Sequence, residues 1–586
     1  MSEERAILSG NEAIARGVWE AGVKLAAGYP GTPSTEILEN VKNYSDIYSE
    51  WTPNEKVALE VGIGSSIAGA RTLVTMKHVG INVAADPLFT FSYTGVNGGL
   101  ILVSADDPSM HSSQNEQDNR NYAKFAKIPA IEASDSQECK DFVAIALDIS
   151  EKFDTPVLYR TTTRTSHSKS IVTLGERKEQ PGEVKLEKNM PKYTMLPVSA
   201  KRRHPLVEER ILKLKEFAET TELNRVEMGD TKVGIITNGI SYQYVKEALP
   251  NASVLKLGLT YPLPENKIKD FAGKVDELFI IEEGDAFFED QITVMGVDIA
   301  HGKDLFPLEG EFSAAFIKAQ VEGVTVAIKD AAADLPGRPP AFCPGCSHRG
   351  IFTILKKLKV FVSGDIGCYT LGALPPISAM HACVCMGASI SMGHGMAKAI
   401  GSSDEMDQKV VSVIGDSTFF HSGMTSLLNS IYNKSNSVAM ILDNRTTGMT
   451  GGQENPGSGK TLGGEDAIAA DIPALVKAFG IKNVIKIDPY DLKDIEDKMK
   501  IALASDEMTV VVVEAPCVLR YRISHPAYTV DRDKCTGCKQ CLKVSCNALS
   551  LEEDGDDKFV VIDPNMCAGC GVCAQVCKFD AIGEGK

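Results

Sequence analysis

The sequence predicts a multidomain α/β protein, built on parallel sheets with helices on their faces and ending in a small α+β domain. Three observations carry that expectation. Short apolar runs such as Thr72–His78, Leu100–Ser104, Val410–Ile414 and Val438–Asp443 alternate with longer helical patterns, as parallel strands joined by crossover helices do. The chain has 586 residues, enough for about four domains at ~150 residues each. Eight of its fifteen cysteines fall in the last 52 residues, so the C-terminal end has a composition of its own.

Apolar residues make up 43% and charged residues 24%, with 50 Gly and 27 Pro. This balance excludes a disordered, collagen-like or small disulfide-stapled chain. A net charge of −17 argues against nucleic-acid binding, which leaves a basic footprint. There is no run of eighteen apolar residues, so no membrane span is expected. The start MSEERAILSG lacks a basic segment followed by an apolar core, which predicts no secretory signal and a cytoplasmic protein. Clustered CxxC spacing in that setting points to metal ligands rather than disulfides.

Taken in order, residues 1–165 read as a first α/β unit, in which Gly28–Thr35 (GYPGTPST) is a loop because its Pro and Gly cannot continue a helix. Residues 166–230 are rich in Lys, Arg and Glu and read as a solvated linker with one amphipathic helix near Leu206–Phe217. Residues 231–335 restart with strand patterns KVGIITNG, ASVLKLG and DELFIIEEG, which suits a smaller βαβ domain. The run PGRPP at Pro336–Pro340 marks a boundary. Residues 336–525 form a second large α/β unit with strands at Val360–Ser363, Val410–Ile414, Val438–Asp443 and Thr509–Glu514. Residues 526–586 form the cysteine-dense domain. No 20–50-residue repeat runs through the chain, but the two cysteine clusters of the tail make a short duplication.

Those clusters read C-x2-C-x2-C-x4-C (Cys535, Cys538, Cys541, Cys546) and C-x2-C-x2-C-x3-C (Cys567, Cys570, Cys573, Cys577). They resemble a bacterial two-cluster ferredoxin, in which three close thiolates wrap three corners of a [4Fe–4S] cube and the fourth comes from the other run. The resemblance assigns Cys535, Cys538, Cys541 and Cys577 to one cluster, and Cys567, Cys570, Cys573 and Cys546 to the other. The four-residue gap before Cys546, and Asn547 and Lys578 where a Pro is usual, depart from the pattern and imply altered loops. Paired zinc sites are the alternative, but they rarely need eight thiolates in triplet runs.

The apolar strand Val410–Ile414 runs into Gly415-Asp416-Ser417, a helix pattern follows at Met424–Tyr432, and the next strand ends in Asp443-Asn444-Arg445-Thr446. A carboxylate at one strand end and an amide oxygen 28 positions on can meet at the carboxyl edge of a parallel sheet, where α/β proteins bind ligands. Both are hard oxygen donors suited to Mg²⁺ on a phosphate. Gly415 lets backbone approach, and the helix N-terminus adds positive partial charge. The segment is similar to the GDG…N motif of thiamine pyrophosphate (TPP) enzymes, with Ser417 in place of the second Gly. The longer run GDSTFFHSGMTSLLNSIYNKSNSVAMILDNRTTGMTGGQ resembles the 2-oxoacid:ferredoxin oxidoreductases, above all their indolepyruvate branch. Carried across, Asp416, the Asn444 side chain and the Thr446 carbonyl would hold Mg²⁺, and Gly451 and Gly452 match a GGQ turn beside the cofactor. Nearby PGSGKT (Pro456–Thr461) imitates a nucleotide-binding P-loop. Glu454 stands where the first Gly should be, and no strand directly precedes it.

TPP chemistry also needs a carboxyl group on the aminopyrimidine N1′. In NEKVALEVGIGSSIAGAR the candidates are Glu55 and Glu60, and the resemblance, aligned on AGAR, favours Glu55 over a solvated helix charge. Gly31-Thr32-Pro33 matches a family loop whose Thr hydroxyl reaches the substrate carboxylate, so Thr32 is the candidate for orienting substrate. Met110–Gln114 (MHSSQ) is similar to another site-facing loop, with His111 a candidate proton donor weighed against an ordinary loop histidine.

A further CxxC, Cys343 and Cys346, is followed by Cys368 (SGDIGCYTLG) and by Cys517 at a strand end (VVVEAPC). Family members hold a third [4Fe–4S] cluster beside TPP with that arrangement; a zinc site or unrelated buried thiols are the alternatives. Cys383 and Cys385 (HACVC) fit it less well and read as core thiols near the cofactor, and Cys139 as a lone core residue.

The resemblance spans nearly the whole chain. It implies a TPP pyrimidine-binding domain (1–165), a linker with a helix (166–230), a transketolase-C-like domain (231–335), a TPP pyrophosphate-binding domain (336–525) and a 2×[4Fe–4S] ferredoxin-like domain (526–586). It implies TPP, Mg²⁺ and three [4Fe–4S] clusters as cofactors and coenzyme A as co-substrate. The activity implied is oxidative decarboxylation of an aryl 2-oxo acid to an acyl-CoA with reduction of ferredoxin. The family's gamma-type domain is missing from this sequence; in the indolepyruvate branch a smaller beta subunit carries it, which predicts that partner and an α2β2 assembly. An enzyme of the family acting on an aliphatic 2-oxo acid, a non-oxidative TPP decarboxylase and a bare electron-transfer module are the other readings. Eight tail cysteines argue against the second, and Asp416, Asn444 and Glu55 against the third.

Overall fold

The computed structural model describes residues 4–325, 339–401, 405–555 and 557–585. Of the expected boundary at Pro336–Pro340, positions 336–338 lie outside them. Two units, Met1–Ala333 and Asp334–Lys586, each hold a core of their own.

In the first unit a seven-stranded sheet runs in the order Leu259–Tyr261, Ala130–Glu132, Val157–Thr162, Leu100–Asp106, Thr72–Lys77, Leu25–Gly28, Tyr48–Trp51. All neighbours pair in parallel except Leu259–Tyr261, which is antiparallel. Every residue of Thr72–Lys77, Leu100–Asp106 and Val157–Thr162 is buried, as a parallel sheet covered on both faces requires. The covering helices start on side-chain caps. Ser9 and Glu12 form a reciprocal capping box on Gly10–Glu20, Asn54 caps Glu55–Ile67, and Asp135 caps Ser136–Phe153. A second sheet, ordered Glu277–Ile281, Asp230–Thr237, Ala252–Leu257, Asn224–Glu227, is parallel but for its last member.

The expected linker 166–230 is corrected here. Its start, Lys169–Thr173, pairs antiparallel with Arg5–Ser9, and its end, Asn224–Glu227, is an edge strand of the second sheet. Between them the helix is longer than expected, Pro197–Thr220. Likewise Leu259–Tyr261, from the region read as the third domain, completes the sheet of the first. A buried ionic network ties the two sheets. Arg120 donates to Asp118, to Glu282 at 2.7 Å and to the Glu283 carbonyl at 3.0 Å; Arg160 donates to Asp106 at 2.6 Å and Glu132 at 2.8 Å.

In the second unit five parallel strands run in the order Phe361–Ser363, Val410–Gly415, Val438–Asp443, Thr509–Glu514, Asn483–Lys486. The tail adds two antiparallel pairs, Tyr528–Val530 with Ile582–Glu584 and Leu549–Asp554 with Asp557–Ile562. It is not a pendant. Val544 and Val572, from between its cysteines, are buried in one core with Phe342, Ile351, Phe352 and Leu442. No helix among the described residues is long and apolar enough to cross a membrane.

Candidate active site

In the second unit the polypeptide leaves Gly415 directly into a helical run, Asp416–Thr418, a π-turn at Phe419–Gly423, then Met424–Tyr432. Asp416 is thereby buried at the carboxyl end of its strand. A carboxylate there resists ionisation: burial and the neighbouring Asp443 push it up to about 7. The next strand brings Asn444 alongside. One backbone amide, that of Thr446, donates to both Asp416 Oδ2 and Asn444 Oδ1 at 3.1 Å, so the two oxygens expected to share a cation converge. Asn455 Nδ2 donates to the same Asp416 oxygen at 3.0 Å. Gly451 and Gly452 take φ of 121° and 94°, a turn that side-chain-bearing residues resist, and the Gln453 carbonyl accepts from the Thr447 amide at 2.9 Å and the Thr446 hydroxyl at 3.1 Å. Ser417 and Thr447 hydroxyls lie 2.8 Å apart. The P-loop imitation forms turns with no helix directly behind it, the next helix being Ile472–Ala478.

Thiols crowd this carboxyl edge. The Cys517 amide donates to the Asn444 carbonyl at 3.0 Å, and a Cβ on Gly448 would lie 3.3 Å from Cys368 Sγ and 3.7 Å from Asn444 Nδ2. Cys343 and Cys368 neighbour each other, and each neighbours both Cys346 and Cys517. Cys343 and Cys368 each feel Cys517, and Cys346 feels Cys343 and Cys368, which with burial holds the thiol form of Cys346 up to about 12 and of Cys368 up to about 11. Cys383 and Cys385 form a separate pair facing Asp365.

The tail thiols sort into two groups across the two runs. Cys541 faces Cys535, Cys577 and Cys538, whereas Cys573 faces Cys570, Cys546 and Cys567 first and Cys541 of the other group after them. Among the described residues no three His, Cys, Asp or Glu side chains close to the spacing of a single metal ion.

In the first unit Glu55 opens its helix and is 5% exposed. A Cβ on Gly80 would come within 2.6 Å of its Cγ, so a glycine there leaves the room its side chain fills. Glu60, one turn on, is exposed and paired with Lys56. Thr32 and the His111 loop converge: the Ser112 hydroxyl donates to the Thr32 carbonyl at 3.4 Å, and Asp107 anchors the loop by accepting from the Ser112 amide at 2.9 Å and the Ser113 hydroxyl at 2.5 Å. His111 itself is half-exposed and lies 3.0 Å from Glu311.

Three residues escaped the sequence reading. Lys77, the last residue of an apolar strand, is buried against the Thr32 loop, where a Cβ on Gly31 would lie 3.0 Å from its Cβ. It donates to the Ser112 carbonyl at 2.8 Å, and burial lowers it to about 8 despite the attraction of Asp107. A lysine ending an apolar run was its one signal. Asn455, just past the GGQ turn, and Arg349, just past the CxxC, had none beyond proximity to a motif.

Comparison with known proteins agrees with this organisation. Residues 16–227 match the family described as pyruvate flavodoxin/ferredoxin oxidoreductase, thiamine diP-bdg. Residues 365–513 match thiamine pyrophosphate enzyme, C-terminal TPP binding domain, and residues 527–578 match 4Fe-4S dicluster domain. Fold and site thus define a subunit of a TPP-dependent 2-oxoacid:ferredoxin oxidoreductase. The indolepyruvate oxidoreductase subunit IorA of Archaeoglobus fulgidus is 40% identical over 621 residues, covering 100% of this chain and 98% of that protein. Its counterpart in Pyrococcus abyssi is 42% identical over 629 residues, covering 99% and 96%. The chain belongs to the family of indolepyruvate ferredoxin oxidoreductase alpha subunits. A solved 2-oxoglutarate:ferredoxin oxidoreductase from Magnetococcus marinus shares 16% identity, with a TM-score of 0.44 over 55% of this chain and 65% of that one.

Proposed function

We propose that the chain is the catalytic subunit that oxidatively decarboxylates aryl 2-oxo acids, indolepyruvate and similar arylpyruvates, with coenzyme A to aryl acyl-CoA, CO2 and reduced ferredoxin. The carrying observation is that the Asp416–Asn444 pair shares a sheet edge with Cys368 and Cys517: the Cys517 backbone amide bonds to the Asn444 carbonyl, and Cys368 Sγ and Asn444 Nδ2 both flank Gly448, which supports a place for a magnesium diphosphate beside a place for a one-electron acceptor. The aryl preference rests on the names of the relatives.

The residues fit the groups proposed. A buried carboxylate that resists ionisation is at ease once a cation sits on it, and Asn444 adds a second hard oxygen. Asp416, the Asn444 side chain and the Thr446 carbonyl hold Mg²⁺; Gly415, Ser417, Gly451 and Gly452 line the diphosphate. TPP, when bound, supplies the nucleophilic carbon and the electron sink for decarboxylation. Glu55, shielded from water, holds a proton toward the aminopyrimidine N1′. The Thr32 hydroxyl and the Lys77 ammonium orient the substrate carboxylate, and His111 donates a proton from the neighbouring loop.

Cys343, Cys346, Cys368 and Cys517 hold a [4Fe–4S] cluster next to the cofactor. Cys546, Cys567, Cys570 and Cys573 hold a second, and Cys535, Cys538, Cys541 and Cys577 a third, from which ferredoxin is reduced. Thiolates kept as iron ligands suit a reducing cytoplasm. A smaller beta subunit supplies the gamma-type domain in an α2β2 assembly. The test is an anaerobic assay of the co-expressed subunits with indolepyruvate, coenzyme A and a dye acceptor, against pyruvate and 2-oxoglutarate. Dye reduction matched to CO2 and strongest with indolepyruvate is expected; CO2 without dye reduction overturns the reading.

A further inference from the structure

Between the thiol group of Cys343, Cys346, Cys368 and Cys517 and that of Cys546, Cys567, Cys570 and Cys573 lies a buried cation. Arg349, three residues past Cys346 on the helix His348–Leu358, is 1% exposed. Its Nη2 donates to the carbonyls of Phe342 at 2.7 Å and Cys343 at 2.9 Å, in the first group's loop. Its Nη1 donates to the carbonyl of Val544 at 2.6 Å and to that of Ser545, the two residues before Cys546. The seam it spans is narrow. A Cβ on Gly345 would lie 2.7 Å from the Cβ of Ala568, the Tyr490 hydroxyl donates to the Gly345 carbonyl at 3.0 Å, and Gln575 Nε2 donates to the Tyr490 carbonyl at 2.6 Å.

The partners of Arg349 make it more than a clamp. Its hydrogen-bond acceptors are backbone carbonyls, and among the described residues no carboxylate pairs with it. A guanidinium is never deprotonated in a protein, and a buried charge without an opposite charge is costly. The carbonyls it holds belong to the two cysteine loops: that of Cys343 in one group, and those of Val544 and Ser545, directly before Cys546, in the other, so its charge lies against both.

We propose that Arg349 is a positioning residue of the electron path, shared by the two thiolate cages it separates, fixing their approach and favouring the reduced form of both cubes. One electron leaves the Cys343/Cys346/Cys368/Cys517 cube, which is oxidised, and enters the Cys546/Cys567/Cys570/Cys573 cube, which is reduced. No proton or atom moves, and the electrons come from substrate oxidation. Removing the positive charge disfavours the added electron on both cubes and leaves the Cys535/Cys538/Cys541/Cys577 cube alone.

The inference rests on the three-cluster reading above, and that reading is checked first: anaerobically purified full-length chain should carry about twelve irons and three reducible clusters. Failure there removes the reading itself. With three clusters present, potentiometric titration followed by electron paramagnetic resonance compares the unaltered chain with Arg349→Gln and Arg349→Lys. Gln should lower the potential of two clusters by about tenfold in the one-electron equilibrium, about 59 mV, with the third unmoved. Lys, which keeps the charge, should hold all three near their original values. The proposal is overturned if Gln shifts none, if all three shift together, or if Lys shifts as far as Gln. Should Gln shed iron, Lys decides alone: full iron with unshifted potentials upholds the proposal, and any other result overturns it.

Discussion

The backbone amide of Cys517 donates to the carbonyl of Asn444 at 3.0 Å. The bond continues the parallel ladder that pairs Asp443 with Glu514, so one sheet edge presents the proposed cation ligand on one strand and a thiol on the next. On the proposed function, this one backbone bond sets the spacing between the carbon chemistry and the electron exit.

Asn455 steadies the Asp416 carboxylate by donating to its Oδ2 at 3.0 Å. Asn455→Ala should weaken Mg²⁺-dependent TPP binding by about 10–100-fold, the usual cost of losing an outer partner of a metal ligand. Asp416→Ala should abolish it. Isothermal titration with TPP and Mg²⁺ reads both, and equal affinities for Asn455→Ala and the unaltered chain would rule out the orienting role.

Cys368 Sγ and the Asn444 amide nitrogen both flank Gly448. Cys368→Ser should reduce iron from about twelve to about eight per chain, with the two tail clusters still reducible. Twelve irons in the variant would remove Cys368 from the ligand set.

Glu55→Gln should cut turnover by about 10²–10⁴-fold, the range for a general acid–base group, with TPP still bound. Glu60→Gln, on the exposed face and paired with Lys56, should leave turnover nearly unchanged. A reversal of the two would transfer the role.

Burial holds Lys77 at about 8, so its positive charge is present below that pH and fades above it. The KM for the 2-oxo acid should therefore rise as pH passes about 8. Lys77→Met should raise KM by about 10–100-fold at neutral pH, the weight of a charge-assisted hydrogen bond, and remove the pH dependence. A KM that is unaltered in the variant would exclude contact with the substrate carboxylate.

Glu283 is buried beside Glu311, Arg160 and Glu132, and burial raises its carboxyl to about 7 while the Phe312 amide donates to it at 2.8 Å. The folded chain holds this proton more tightly than the unfolded one. Its stabilising effect is complete below about pH 4.5 and is lost as pH rises through about 7. Glu283→Gln keeps an acceptor for Phe312 without titrating, so its stability relative to the unaltered chain should grow between pH 5 and pH 8. The gain is bounded at about 3 kcal/mol by the size of the shift. Thermal unfolding at the two pH values reads the difference, and parallel pH profiles would show that Glu283 does not titrate in this range.

The sequence made strand-end chemistry legible because a parallel sheet puts the ends of successive strands on one edge. That rule alone places Asp416 and Asn444 side by side. It could not choose between Glu55 and Glu60, since the choice depends on which helix face meets Gly80. Lys169–Thr173 and Asn224–Glu227 look like linker in sequence because their partners, Arg5–Ser9 and Ala252–Leu257, are remote or follow later in the chain. Arg349 was invisible for a related reason: the carbonyls of Val544 and Ser545 lie almost two hundred residues away.

Val544 and Val572 pack into the same core as Phe352 and Leu442. Cluster chemistry and catalytic scaffold therefore share one fate. Oxygen damage that strips iron from the tail would slacken the interior of the neighbouring sheet, so the subunit should fail as a whole under air rather than persist as a decarboxylase with a broken outlet.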